Sequence, residues 1–512
     1  ALWAALAPVL KSAALAGWLA GPPQTNEVAR SAGLMPGFLT IAAETGLPLA
    51  LFELGCSGGL NLLPDRYSYR LGTLETGDAD SLLHLEPKWI GADPPDVPLR
   101  IATRTGVDLA PPDLSDWEAV RAQFALDPAY LHFASFFIAS HPTPVREALE
   151  GYRRAMDANP FLVVERAMFE DDAHNLPLQV CTEAADYLGG QAAEVCLTRS
   201  TTEGLALVYH GLPLKAGDEV LTTVHDHYSH HESIRLATAR ANASMRKIAL
   251  FASSATASVD EIVGNLKAAV RPATRVVGIT WVHSSTGIRL PIREIAAMLR
   301  GLPSPPLLVV DGVHGLGSAD DTVATMGADY FCAGTHKWMF APRGTGLVWA
   351  NAANWARLQP LVPNFTELES YKAWAEERPP SGPANAARMM PGGFHAFEHQ
   401  WAMAAAFRMH RQMQRPRVAA RITAMNDQLK QGLARLPKVK MHTPRAAALS
   451  AGLVAFEIDG VSPTDIVKQL LARRIVASTS PYAVSYARLA PSLVNTPTEV
   501  DEAVRVVRAI AG

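Results

Sequence analysis

Cysteine is scarce in this chain. Four occur in 512 residues, Cys56, Cys181, Cys196 and Cys332, scattered and without metal-ligand spacing. This excludes a disulfide-stapled scaffold and a thiolate zinc module, and it is the usage expected of reduced thiols inside a cell. An excess of either charge is lacking too. Lys and Arg number 46 against 49 Asp and Glu, so a net charge of −3 gives no pull toward nucleic acid or an anionic membrane. Long apolar runs are also missing. The apolar opening, Ala1 to Ala20, carries Pro8 and Lys11 and has no basic start. It reads as a buried amphipathic helix, not a membrane span or a signal peptide. The first residue is not Met, so the numbered start is expected to differ from the natural one. No internal repeat occurs, which excludes a solenoid.

What is present is the composition of a soluble globular protein, 48% hydrophobic and 19% charged, long enough for two to four domains. A Pro-rich stretch (Asp93-Pro94-Pro95, Pro98, Pro111, Pro112) closes a first region, residues 1–112. An arm covers 113–160, with a helix from Pro144 to Ala158 on the spacing of Val145, Leu149, Tyr152 and Met156. A large domain covers 161–395. Apolar strands at Val195–Thr198, Glu219–Thr223, Val276–Trp281, Leu307–Val310 and Gly346–Trp349 alternate there with helices at Thr201–Gly211, Tyr228–Ala241 and Ile292–Leu299. This pattern predicts an α/β fold with a mostly parallel sheet covered on both faces, and ligands at the carboxyl ends of its strands. Phe365 to Pro391, polar and Pro-rich, is expected to loop over the site. A smaller α+β domain fills 396–512 after a long helix (Trp401 to Met413, then Val418 to Leu436).

The chemistry gathers where those strands end. Asp311 closes a strand, and 26 residues later Gly334-Thr335-His336-Lys337-Trp338 precedes a Gly-rich turn. An aspartate that keeps a ring nitrogen protonated, with a lysine that forms a Schiff base, is how an enzyme holds pyridoxal 5′-phosphate (PLP). Trp338 and Phe340 argue that Lys337 is buried, where an amine is costly unless used. Ser200-Thr201-Thr202 opens a helix after a strand, either a plain N-cap or an anion site. His225, His227, His230 and His231 crowd together, but no carboxylate or thiolate partner is fixed by spacing, and no metal is expected.

In these motifs residues 113–512 resemble the class V aminotransferase family of fold-type I PLP enzymes, and within it the isopenicillin N epimerase-like branch. The resemblance implies that Thr201 and Thr202 bind the cofactor phosphate and that His227 stacks on the pyridine ring. Asp311 pairs with the ring nitrogen, and His314 bonds the phenolic oxygen. Relatives often place a phosphate-binding hydroxyl three residues before the lysine. Here that residue is Gly334, and Thr335, beside His336 and Lys337, is expected to take over. Arg488, ahead of Asn495-Thr496 and Glu499-Val500, grips the substrate carboxylate. Pro391-Gly392-Gly393-Phe394 matches a loop that reaches the neighbouring subunit's phosphate, which implies a homodimer with shared sites; the substrate is expected to be a small amino acid, and the reduced cysteines point to the cytoplasm.

The implied reaction begins with removal of the Cα proton and ends in epimerisation, transamination or β-elimination. Desulfurases of the family use a cysteine about fifteen residues before the carboxylate arginine. Arg473 stands there, and no cysteine follows Cys332, which disfavours thiol-based desulfuration. A non-catalytic PLP-fold module would be expected to lack Arg488. His395 and His399 receive no role.

Residues 1–112 resemble an uncharacterised bacterial family, domain of unknown function 2332, through Glu53 to Leu62, Asp65 to Tyr69 and Arg104 to Leu109. The strand, acid and glycines at Phe52–Asn61 also look like the first loop of nucleoside-binding methyltransferases. The segment is too short for a complete Rossmann sheet, so a partial α/β domain fused to a complete enzyme is expected.

Overall fold

The computed structural model describes residues 29–54, 60–81, 83–107, 114–170, 172–364 and 366–512. The expected opening helix, the glycines Gly55, Gly58 and Gly59, and Asp108 and Leu109 lie outside them. The chain divides into two compact units, Ala1–Pro112 and Asp113–Gly512.

In the first unit a helix, Ala29–Thr45, precedes two parallel strands, Leu49–Leu54 and Ile101–Val107. A three-stranded sheet (order Leu74–Gly77, Ser68–Leu71, His84–Leu85) packs Tyr69 and Leu71 on Met35 and Leu39. Glu53 Oε1 accepts from Asn61 Nδ2 at 2.9 Å, and Asn61 Oδ1 accepts from Ser31 Oγ at 3.1 Å. The acid that closes the strand is thus tied to the unit's own helix.

The second unit is built on a seven-stranded sheet. Its strands are β1 (Val195–Thr198), β2 (Glu219–Thr223), β3 (Ser244–Ile248), β4 (Thr274–Thr280), β5 (Leu307–Asp311), β6 (Tyr330–Gly334) and β7 (Gly346–Trp349), in the order β1-β7-β6-β5-β4-β2-β3. Only β7 runs against its neighbours. Successive side chains enter different cores. Leu308, Val310 and Phe331 join one, and Val309, Tyr330 and Cys332 the other. Burial on both faces explains why these strands read as unbroken apolar runs.

Helix α1 (Thr143–Ala158) carries its apolar stripe as its spacing predicts. Further on, α2 is Leu176–Leu188, α3 is Thr201–Gly211 and α4 is Tyr228–Ala241. The long helix near the carboxyl end is two helices, α5 (Phe397–Met413) and α6 (Arg415–Leu433), broken at Gln414 with φ 64°. Helix α5 packs Phe397 and Trp401 against Tyr152 of the arm helix α1, and Phe407 against Tyr187 of the large domain. One core spans the break, with Met409 and Met413 of α5 and Val418 and Ile422 of α6 in the same cluster. Beyond it, four antiparallel strands (Val439–Met441, Val454–Ile458, Ala487–Leu489, Ser478–Thr479) pack with helices Pro463–Ala472 and Pro497–Ala511. Thr496 and Glu499 form a reciprocal capping box on the last helix, so this pair is accounted for by structure.

Phe365 itself lies outside the described residues. The segment after it does not loop over the site. It forms helices Leu368–Ala375 and Ala386–Met389, capped by Glu367 and Asn385, with Arg388 3.4 Å from Glu367.

Candidate active site

A cavity opens at the carboxyl ends of the sheet strands. Five of the seven strands contribute: the N-terminus of α3 after β1, His227 after β2, Thr280 at the end of β4, Asp311 at the end of β5, and Lys337 after β6.

Asp311 is buried, and its Oδ1 accepts from Val313 N at 3.1 Å. Burial pushes its carboxyl well above the usual range. Burial likewise pulls the Lys337 amine down, against the opposing charge of Asp311. Lys337 Nζ lies 2.9 Å from His314 Nε2. The turn that aims the lysine is tight: Phe340 N donates to Lys337 O at 3.1 Å, and Phe340 sits at φ 57°. This left-handed backbone is strained for an aromatic residue, and packing holds it, with the Phe340 ring 4.9 Å from Phe124 and stacked at 5.7 Å on His410.

At the other end Ser200 caps α3, accepting from Glu203 N, and leaves the first amides and the Thr202 side chain facing the cavity. Thr201 Oγ1 accepts from Gly334 N at 2.7 Å. A Cβ at Gly334 would lie 2.8 Å from His336 Cε1 and 3.1 Å from that same hydroxyl. A side chain at the place where relatives are expected to carry a hydroxyl would have to displace the His336 ring. Thr335 does not replace it: it is fully buried and spends its hydroxyl on Thr345 at 2.6 Å. His336 lines the cavity, and its Nδ1 is buried without a partner.

His227 caps α4 and is held by Ser229, whose N donates to Nδ1 at 3.3 Å and whose Oγ lies 2.9 Å away. Burial lowers its pKa, which keeps the ring neutral. The other histidines of that run diverge. His225 stacks on Phe251 at 4.1 Å, His230 meets Tyr209 Oη at 2.7 Å, and His231 bonds Thr223 O. No group of three metal-capable side chains forms among the described residues.

Arg488 is 3% exposed and comes from the small domain. Its Nη atoms donate to Ser284 O and Thr479 O, and its guanidinium lies 4.8 Å from the Phe136 ring. Its Nε has no partner, and no carboxylate pairs with it among the described residues. Burial lowers it to about 10. A buried guanidinium with an unmet donor is a receptor for an anion.

Gly392 and Gly393 are not part of this cavity. Gly392 N donates to Pro363 O, and the space around Gly393 is open. His395 and His399 bond Gly393 O and Arg343 O outside it.

The sequence reading gave no role to Asp226, Phe136, Ser284 or Tyr482. Asp226 is buried. It accepts from Thr222 Oγ1, from Thr223 N and Oγ1, and from Thr280 N at 2.7 Å, tying the ends of β2 and β4 together. Burial alone would raise its pKa, but His230, His283 and these hydrogen bonds hold it near 2. Its position between two histidines at a strand end was the signal. Ser284 and Tyr482, bonded at 2.7 Å, come from distant turns and left no local signal.

Comparison with known proteins places these residues in context. Residues 138–505 match the family model described as aminotransferase class-V, and residues 1–126 match the one described as uncharacterized protein conserved in bacteria (DUF2332). The isopenicillin N epimerase of Streptomyces clavuligerus is 26% identical over 417 residues, 78% of this chain and 99% of that protein. A probable cysteine desulfurase of Treponema pallidum is 24% identical over 362 residues, covering 67% and 83%. Among solved structures, the lyase C-DES carrying a glycine linked to its PLP cofactor superposes with a TM-score of 0.66 at 22% identity, covering 75% of this chain and 98% of that one. The apo cysteine desulfurase of Thermococcus onnurineus NA1 gives 0.66 at 19%, covering 77% and 98%.

Proposed function

The chain belongs to the class-V aminotransferase family and depends on PLP, and from that premise we propose that it transforms a small amino acid by proton transfer at Cα, as an epimerase-like enzyme or an aminotransferase. The residues present fit the cofactor. Asp311 would meet the ring nitrogen, the Ser200–Thr202 amides and hydroxyls the phosphate, the His227 ring one flat face, and Lys337 the aldehyde. When bound, PLP supplies an electron sink that makes the Cα proton of an attached amino acid removable.

The chain's own residues do the rest. Arg488 binds the substrate carboxylate and fixes the amino group toward Lys337. Phe136 closes the wall beside that guanidinium and excludes water. Lys337 Nζ, its basicity lowered by burial, takes the proton and returns it. The observation that carries the reading is Arg488, a buried guanidinium with no acidic partner, in one cavity with Lys337.

β-Elimination shares the first step, and the desulfurase relatives favour it as a second reading. The described cysteines, Cys181, Cys196 and Cys332, are all buried in the core with thiols pushed up by burial, so none supplies a reactive thiolate to the cavity.

A homodimer is part of the proposal. Phe137 on the cavity wall is 66% exposed, Tyr228 beside His227 is 73% exposed, and Phe394 next to Gly393 is 81% exposed. A second copy would cover them. Light scattering is expected to show a dimer, and a fully active monomer would rule out shared sites.

The test is the visible absorbance of the purified protein with L- and D-amino acids. Wild type is expected to show a near-visible band that borohydride bleaches while fixing the cofactor on Lys337, and Lys337→Ala to lack it. Arg488→Ala is expected to keep the band but lose its response to amino acids. Racemisation of the substrate would identify epimerisation, conversion to the amine form transamination, and release of a keto acid with ammonia elimination. Wild type without the band after reconstitution would sink the catalytic reading.

A further inference from the structure

Trp338 follows Lys337 in sequence and does not line the cavity, yet it touches the side chain that touches the lysine. It is buried, and an indole N–H can only donate. Its Nε1 lies 3.4 Å from His314 Nδ1, which must therefore present its lone pair. Burial first, then the charges of Lys337 and Arg488, hold His314 well below the ordinary histidine range, so the ring carries one proton. The indole leaves that proton on Nε2. Nε2 stands 2.9 Å from Lys337 Nζ, and a hydrogen coming from the imidazole needs a lone pair on the amine. An ammonium has none.

We propose that Trp338 is a positioning residue whose indole N–H fixes the His314 tautomer, and that this tautomer holds Lys337 as the free amine. The proposal rests on the reading of Lys337 as the cofactor lysine. The free amine is the form that attacks the cofactor aldehyde. Its lone pair makes the new carbon–nitrogen bond, and the aldehyde oxygen leaves as water with both amine hydrogens. The same lone pair later accepts the Cα proton.

The surroundings fit a fixed donor. At Gly452 (φ 75°) a Cβ would lie 2.6 Å from Trp338 Cζ2, so the turn lies flat on the indole. Other groups bear on the amine's charge. Asp311 favours the ammonium and Arg488 opposes it, while His227 and His336 surround His314. Without the indole donor, His314 could move its proton to Nδ1 and accept from an ammonium, so Asp311 would prevail.

The experiment uses full-length apoprotein. PLP is added across a range of pH, attachment is trapped with borohydride, and the site is mapped by mass spectrometry. Trp338→Phe keeps the ring but loses the donor. It is expected to move the acid limb of the attachment rate up by about one pH unit, a roughly ten-fold slowing near neutrality. His314→Gln offers an amide donor with no tautomer to fix, so adding Trp338→Phe to it is expected to change nothing. An equal shift in both backgrounds, or none in either, overturns the relay. No attachment at Lys337 in wild type overturns the cofactor reading instead. If Trp338→Phe does not fold, nitrogen NMR of the wild-type His314 ring decides: a proton on Nε2 supports the proposal, and one on Nδ1 refutes it.

Discussion

Asp311 holds a carboxylate where solvation is poor, and this has a consequence that can be measured without substrate. In the cofactor-free protein, burial raises its pKa above the unfolded value. The folded chain therefore keeps a proton that the unfolded chain has released. Between those two values the folded state binds more protons, so this group adds stability as pH falls and removes it as pH rises. Asparagine has no such proton. The apoprotein of Asp311→Asn is expected to melt above wild type at neutral pH, with the gap closing as pH falls toward the ordinary carboxylate range. A gap that widens toward acid would refute the assignment. Asp311, Lys337 and Arg488 were legible singly because each is a charge set in apolar or motif-bearing sequence. Thr335 was not. Its chemistry suits a phosphate, but its side chain faces Thr345, and no local pattern records that.

The elements were the most legible part. Helices α3 and α4 and strands β2 and β7 have the bounds their periodicity predicts, because continuous apolar strands and amphipathic helices write burial directly into sequence. The long helix was read in two parts, Trp401 to Met413 and Val418 to Leu436, and the positive φ at Gln414 puts the break between them. The segment after Phe365 was misread as loop because its proline content masked two short, well-capped helices. One element carries a sharp test. In β4, a Cβ on Gly278 would fall 2.0 Å from Tyr209 Oη and 3.0 Å from His230 Nε2. The bare backbone leaves room for the bond that joins α3 to α4 beneath the sheet. Gly278→Ala is expected to cost about 1–3 kcal/mol by overpacking, read as a lower unfolding midpoint. An unchanged midpoint would show that the contact is slack.

At the scale of the whole molecule, the chain divides into two compact units between Pro112 and Asp113. The cavity is built from the second unit alone. Deleting residues 1–112 is expected to leave a folded protein that still takes up PLP. A truncated chain that folds but holds no cofactor would show that the first unit supports the site. In that unit a two-stranded parallel sheet and a separate three-stranded sheet are described, where the sequence had promised something short of a complete Rossmann sheet. By itself the sequence determined the layered α/β plan and the family, and it singled out the lysine and aspartate as candidates. Burial periodicity and charge in apolar surroundings are local properties that need no coordinates to be seen. The tertiary structure alone decided which groups meet: Arg488 brought from the small domain to Ser284 O, Tyr482 to Ser284, Trp338 through His314 to Lys337. Those contacts join residues from separate turns and strands, and their distances follow from how the layers pack.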